Sequence, residues 1–348
     1  MLFSLSGFTQ TYSSPESLEY DYANDRWLIS NKSANNILAR SSATGVLSIF
    51  ATGISGPHGI EIANDTVYVC SGSTLKAYEL NTGASVFSIN LGASYLNGIT
   101  HDSTYLYITD FSAKVIYRFN MITRDYSIFI PVQPKSPNGI IFDQLNNRCV
   151  FVNWGPSAPV MAFDVTSAVV TTLTPTTLSN CDGIAIDGAG DFYISSWGLN
   201  GISKFDNSFS TGPVTVVTGL TSPADIFYNI QSDTLGVANS GSLSNTSYHF
   251  FGSTTSLNDI RGSASKFMLV PNPVIDDAFI HFNSKAFDMV ELRIYDASGR
   301  PVHSPLNYKL MQGENQLLFN REGLSAGKYY ISIRGEQINE TGMFLIAD

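Results

Sequence analysis

The sequence predicts an all-β fold: a six-bladed β-propeller followed by a small C-terminal antiparallel β-sandwich. Three observations predict it: a turn-then-strand unit that recurs six times, a fixed order of further strands behind each unit, and a change of pattern near residue 267. The recurring unit reads Pro15-Glu16-Ser17-Leu18, Pro57-His58-Gly59-Ile60, Leu96-Asn97-Gly98-Ile99, Pro137-Asn138-Gly139-Ile140, Cys181-Asp182-Gly183-Ile184 and, in degenerate form, Pro223-Ala224-Asp225-Ile226. Its second positions follow one another at steps of 42, 39, 41, 44 and 42 residues. That period belongs to four-stranded propeller blades.

Behind each unit comes a second strand: Trp27-Leu28-Ile29, Val67-Tyr68-Val69, Leu106-Tyr107-Ile108, Val150-Phe151-Val152, Phe192-Tyr193-Ile194 and Leu235-Gly236-Val237. A third follows, as in Ile37 to Arg40 or Ile116 to Phe119. β-branched and aromatic residues fill these columns, as half-buried pleated surfaces favour. Units one to five supply their own outer strand, but the sixth runs from Phe251 into Gly252-Ser253-Thr254-Thr255-Ser256. The spare strand is Leu2 to Leu5. The N-terminal strand is therefore expected to complete the last blade, which would leave no open ring junction.

The expected domains are a propeller over 1–251, a linker over 252–266 rich in Ser, Thr, Gly and Asn, and a sandwich over 267–348. Short alternating strands with turn residues between them predict the sandwich. Its landmarks are Val270-Pro271-Asn272-Pro273, then Ile294-Tyr295-Asp296-Ala297-Ser298-Gly299-Arg300, then Leu324-Ser325-Ala326-Gly327-Lys328-Tyr329. In order and in register, these resemble the C-terminal sorting domain of the type IX secretion system of Bacteroidota. The resemblance implies export across the outer membrane, the secretion machinery as a partner, and a secreted or cell-surface location.

Composition narrows the functional classes. A formal net charge of -10 and the absence of any basic stripe exclude a phosphate-backbone partner, so no nucleic acid is expected. No apolar run is long enough for a transmembrane segment, and the chain is expected to be a monomer. Cys70, Cys149 and Cys181 are odd in number and lack metal or redox spacing, so they read as small buried hydrophobes. Met1 to Ser6 has neither the basic region nor the apolar length of a signal peptide. Either a leader has been removed or the true start lies upstream.

In a propeller, the loop entering the innermost strand and the loop leaving the second open on one face. The repeat therefore gathers Glu16, His58, Asn97, Asn138 and Asp182 at one end of the channel, with Asn31, Asp110, Asn153, Trp154, Ser196, Trp197 and Asn239 around them. Oxygen ligands dominate, which suits a hard cation. Here the chain resembles the six-bladed gluconolactonase and senescence-marker-protein family, itself similar to NHL-repeat propellers. That resemblance implies one divalent cation, Ca²⁺ or Zn²⁺, held by Glu16, Asn138 and Asp182. It makes Asp182 the catalytic proton-transfer group and gives His58 and Asn97 contact with substrate. Trp154 and Trp197 end equivalent strands of adjacent blades and would form an aromatic wall for a lactone or carbohydrate ring. Two readings stay open: a metal-dependent lactone hydrolase, and a non-catalytic secreted propeller that binds a carbohydrate, peptide or envelope partner. In the second, the Asn and Asp residues only satisfy turn backbone.

Overall fold

In a computed structural model, the described residues are 10–251, 267–270, 274, 277–284, 288–296, 300–302, 306–311, 313–321, 323–335 and 339–347. The chain divides into two compact units, 1–252 and 253–348. In the first unit, six antiparallel sheets follow one another, each with its strands in chain order. The six innermost strands are Pro15–Asp21, Pro57–Ala63, Leu96–His101, Ser136–Asp143, Cys181–Ile186 and Pro223–Asn229. Each packs against the next, and the sixth packs against the first, so the sheets form the closed ring of a β-propeller.

Pairing of each inner strand with the second strand of its blade slips at its first residues. It slips between Pro57 and Ile60, Pro137 and Ile140, Cys181 and Ile184, and Pro223 and Ile226, with equivalents in the first and third blades. A bulge of this kind frees a residue from the ladder and re-aims its side chain. The freed residues include His58, Asn97, Asn138 and Asp182. Glycine follows each because neighbouring inner strands approach closely there. A Cβ on Gly98 would lie 2.3 Å from the Asn138 carbonyl oxygen, and one on Gly139 would lie 2.4 Å from that of Asp182. The first and sixth blades break this rule with Ser17 and Asp225, and where the ring closes the Ser17 hydroxyl donates to Asp225 Oδ2 at 2.7 Å.

Faces of adjacent blades bury the apolar columns. Trp27 packs edge-on to Tyr20 and Phe227 at the junction of the first and sixth blades. Tyr107 and Phe163 meet between the third and fourth, and Tyr193 and Tyr228 between the fifth and sixth. All three cysteines are buried as free thiols, and burial raises the Cys70 thiol pKa and pushes that of Cys181 up to about 12. The sixth blade has three strands among the described residues, its last being Asn245–Phe250. The expected fourth strand, Leu2 to Leu5, falls outside the described residues.

The second unit consists of two sheets. One orders Phe267–Val270, Asp277–Ser284 and Gly313–Asn320; the other orders Leu306–Leu310, Asp288–Asp296, Gly327–Arg334 and Asn339–Ile346. Leu269, Ile280 and Phe319 of the first sheet share one core with Leu292, Ile294, Ile331, Ile333 and Phe344 of the second. Among the described residues no helix is long and apolar enough to cross a membrane.

Candidate functional site at the channel mouth

The bulged turns converge on a cavity of about 300 Å³ lined by Glu16, Lys32, His58, Tyr95, Asn97, Phe111, Ser112, Asn138, Trp154, Asp182 and Trp197. Each site residue expected from the repeat, namely Glu16, His58, Asn97, Asn138, Asp182, Trp154 and Trp197, lies on this wall. The other residues closing the second strands behave differently. Asn31, Asp110, Asn153, Ser196 and Asn239 are buried and bond to nearby loops and strand ends. Asp110, for example, accepts from the backbone N–H groups of Ser94 and Tyr95. The residue one step further along forms the wall instead.

That next column reads Lys32, Gly72, Phe111, Trp154, Trp197 and Ser240. It explains three participants that sequence reasoning missed: Lys32, Phe111 and Ser240 occupy the same repeat position as the two tryptophans. Their rings continue an arc. Trp154 and Trp197 meet edge-to-face at 5.1 Å, Phe111 meets Trp154 at 6.0 Å, Tyr95 meets Phe111 at 6.2 Å, and His58 meets Tyr95 at 4.7 Å.

Polar groups complete the lining. Lys32 Nζ donates to Glu16 Oε1 at 2.8 Å, and the Ser240 hydroxyl donates to the same oxygen at 2.9 Å. Burial works against the Lys32 charge, but the Glu16 carboxylate outweighs it and the lysine pKa rises. Burial also lowers the His58 pKa, which favours the neutral ring. With Nδ1–H toward the Gly56 carbonyl at 2.8 Å, His58 Nε2 accepts the Tyr95 hydroxyl. Asn138 turns its amide nitrogen to Asp182 Oδ1 at 3.1 Å and to the Cys181 carbonyl at 3.2 Å.

Burial, then the Glu16 and Asp225 carboxylates, push the Asp182 carboxyl well above the usual range. The Trp197 indole, which faces Asp182 without completing a hydrogen bond, and Lys32 pull the other way. Asn138 Oδ1 and Trp197 Nε1 are buried without a hydrogen-bond partner. An orphaned acceptor and an orphaned donor in one cavity are costly unless a ligand satisfies them.

The divalent cation implied by the family resemblance does not fit this arrangement. It would need oxygens from Glu16, Asn138 and Asp182, but Glu16 is already paired through Oε1 with an ammonium, and Asn138 turns its amide nitrogen rather than its oxygen to Asp182. Among the described residues no three His, Cys, Asp or Glu side chains are grouped to hold a metal ion.

Deeper in the channel lies a second cavity of about 220 Å³. Its collar takes one aliphatic residue from each blade: Leu18, Ile60, Ile99, Ile140, Ile184 and Ile226. Glu19, Glu61 and Asp225 also line it. Burial and the Glu61 carboxylate raise the Glu19 pKa well above the usual range, and His101 Nδ1 pairs with Glu61 at 2.5 Å.

Comparison with known proteins agrees with both units. Solved structures similar to the chain include a gluconolactonase from Xanthomonas campestris, 13% identical over 66% of this chain and 84% of that one, with a TM-score of 0.57. A calcium-binding regucalcin from Agrobacterium tumefaciens is 15% identical over 66% and 83%, with a TM-score of 0.56. A luciferin-regenerating enzyme is 11% identical over 66% and 85%, with a TM-score of 0.55. At such identities the likeness establishes the propeller fold. No curated protein sequence matches the chain. Residues 268–347 match the secretion system C-terminal sorting domain. The chain therefore carries a type IX sorting domain, and the protein is exported to a secreted or cell-surface location.

Proposed function

We propose that the exported propeller is a receptor for one small polyhydroxylated ring, a monosaccharide or sugar lactone, held in the channel-mouth cavity. One observation carries this reading: a continuous aromatic arc and polar side chains line one cavity that also holds an unpaired buried acceptor, Asn138 Oδ1, and an unpaired buried donor, Trp197 Nε1. A sugar ring has an apolar face for the arc and hydroxyls that both donate and accept. The volume sits at the low end of the small-molecule range of about 300–1,000 Å³, which suits one ring.

The chain has three tryptophans, and two of them line the cavity. Intrinsic fluorescence is therefore a direct probe. Titration with a panel of monosaccharides and aldonolactones is expected to give saturable quenching by at least one of them. Trp154→Ala should weaken that ligand about fivefold, since an aromatic contact is worth about 1 kcal/mol. A panel without any saturable response, or equal affinity in the variant, would count against the reading.

Lactone hydrolysis of the gluconolactonase type is the second reading, favoured by the meeting of Glu16, Asn138 and Asp182 on one wall. It needs a divalent ion where Lys32 already holds Glu16, so binding stands before hydrolysis. Lactone opening by wild type in Ca²⁺- or Zn²⁺-supplemented buffer, lost in Asp182→Ala, would reverse that order.

A further inference from the structure

We propose that the Lys32 ammonium is the resident cation of the channel mouth, so that the site works without a metal and excludes divalent ions. The inference rests on the geometry of the cavity and stands whichever ligand the cavity takes. Lys32 directly follows the second strand of the first blade, in the column that gives the wall Phe111, Trp154 and Trp197. Its backbone is pinned there, because Lys32 N donates to the Ser14 carbonyl at 3.2 Å and Ser33 N to that of Ser13 at 3.0 Å. The fold thus aims this side chain at the mouth as it aims the tryptophans.

The charges then decide what else can enter. Glu16 is the first-blade carboxylate of the set, and its Oε1 is held from two sides by Lys32 and Ser240. An ammonium has three donors, and only a carboxylate or another strong acceptor justifies keeping one half-buried. A divalent ion on Glu16, Asn138 and Asp182 would lie close to that ammonium, two cations competing for one carboxylate. Their mutual repulsion favours the ammonium or the metal, not both together. With Lys32 in place, Asn138 Oδ1 remains the buried acceptor with no partner, open to a ligand hydroxyl rather than to an ion. The remaining ammonium protons can donate to a ligand oxygen, the contact a bound metal would otherwise make.

Terbium(III) bound near Trp154 and Trp197 would give tryptophan-sensitised emission, so the purified full-length chain can be titrated with it directly. Wild type is expected to show no saturable emission. Lys32→Met should create a single saturable site, at least about tenfold tighter than any wild-type response, displaced by Ca²⁺ and abolished in Lys32→Met/Asp182→Asn. Lys32→Arg keeps the charge and should remain as wild type. Lys32→Gln serves as a second neutral variant should Lys32→Met melt abnormally. Saturable terbium binding by wild type would overturn the proposal, and so would neutral variants that bind no better than wild type. Sugar titration of wild type in chelator-treated buffer separates the two readings, since loss of the ligand response there would overturn metal independence but leave the cavity as the binding site.

Discussion

Asp225→Asn tests whether the channel stores carboxylates at a cost to stability. Asp225 replaces the glycine of the repeat and lines the deep cavity. Burial, partly offset by the Ser17 and Ile226 hydrogen bonds, lifts its pKa from 3.8 to about 7. An unfolded chain releases the proton near pH 4, while the folded chain keeps it until about pH 7. The folded state therefore binds the extra proton in between, and stability falls as pH rises through that window and levels off above it. A shift of roughly 3 pH units at about 1.4 kcal/mol each gives a ceiling near 4 kcal/mol. Asp225 is partly accessible from a cavity that admits water, and screening brings the cost to about 2 kcal/mol. Asparagine keeps a hydrogen-bond partner for both Ile226 N and the Ser17 hydroxyl, and the raised pKa already includes the Ser17 bond, so the desolvation cost is the main difference. The variant should then be less than about 1 kcal/mol more stable than wild type at pH 5, and about 2 kcal/mol more stable at pH 8. Removing this charge also eases the ionisation of Glu19 and Asp182, which Asp225 opposes; that acts in the same direction. Urea unfolding followed by tryptophan fluorescence reports the propeller alone, because Trp27, Trp154 and Trp197 all lie in it. Parallel stability curves for variant and wild type between pH 5 and 8 would refute the reasoning.

Gly139→Ala would put a Cβ 2.4 Å from the Asp182 carbonyl oxygen and 2.8 Å from Gly183 Cα, all backbone, and should cost about 3 kcal/mol in urea unfolding. Gly188→Ala meets nothing within 4 Å and should cost less than about 1 kcal/mol. Asp143→Ala removes the acceptor of Asn146 and Arg148 at the first hairpin of the fourth blade, and a loss of about 2 kcal/mol is expected in the same assay. Deletion of residues 1–10 should lower the propeller melt by roughly 5 °C if the N-terminal strand completes the sixth blade; an unchanged melt would contradict that closure. Removal of 267–348 should leave the propeller inside the cell, as read by immunoblotting of cell and medium fractions.

The propeller is legible in the sequence because a period of 39 to 44 residues, carried by a turn and two apolar columns, has few other physical solutions. The site is legible for the same reason: residues in one repeat column meet at one end of the channel. Glu16, His58, Asn97, Asn138 and Asp182 come together without any helix or long loop to position them. Lys32 and Phe111 escaped notice because a single lysine after a strand reads as a solvated charge, and Phe111 has no glycine behind it as Trp154 and Trp197 do. Ser17 and Asp225 escaped for a different reason. Their bond joins residues 208 apart at the point where the ring closes. A repeat gives each residue its place in a blade but not its partner across the junction.

The departures from the repeat are not scattered. Glu16, Ser17 and Lys32 belong to the first blade, and Asp225 and Ser240 to the sixth. Phe111, Trp154 and Trp197 stand in blades three, four and five. Apart from Asn138 and Asp182, which share blades four and five with the tryptophans, charge and hydroxyls collect where the ring closes and the large rings in the middle blades. The closure junction already contains polar side chains, since the Ser17–Asp225 pair replaces the close glycine packing found between the other blades. Adding Lys32, Glu16 and Ser240 there extends an existing hydrogen-bonded set and opens no apolar seam. The middle blades keep glycine at the bulge and can carry large rings at the wall, because their inner strands stay tightly packed behind them. An uneven lining, with the charge pair at the closure and the large rings in the middle blades, follows from how the ring closes, and a ring-shaped ligand with an apolar face and a polar edge has a matching asymmetry.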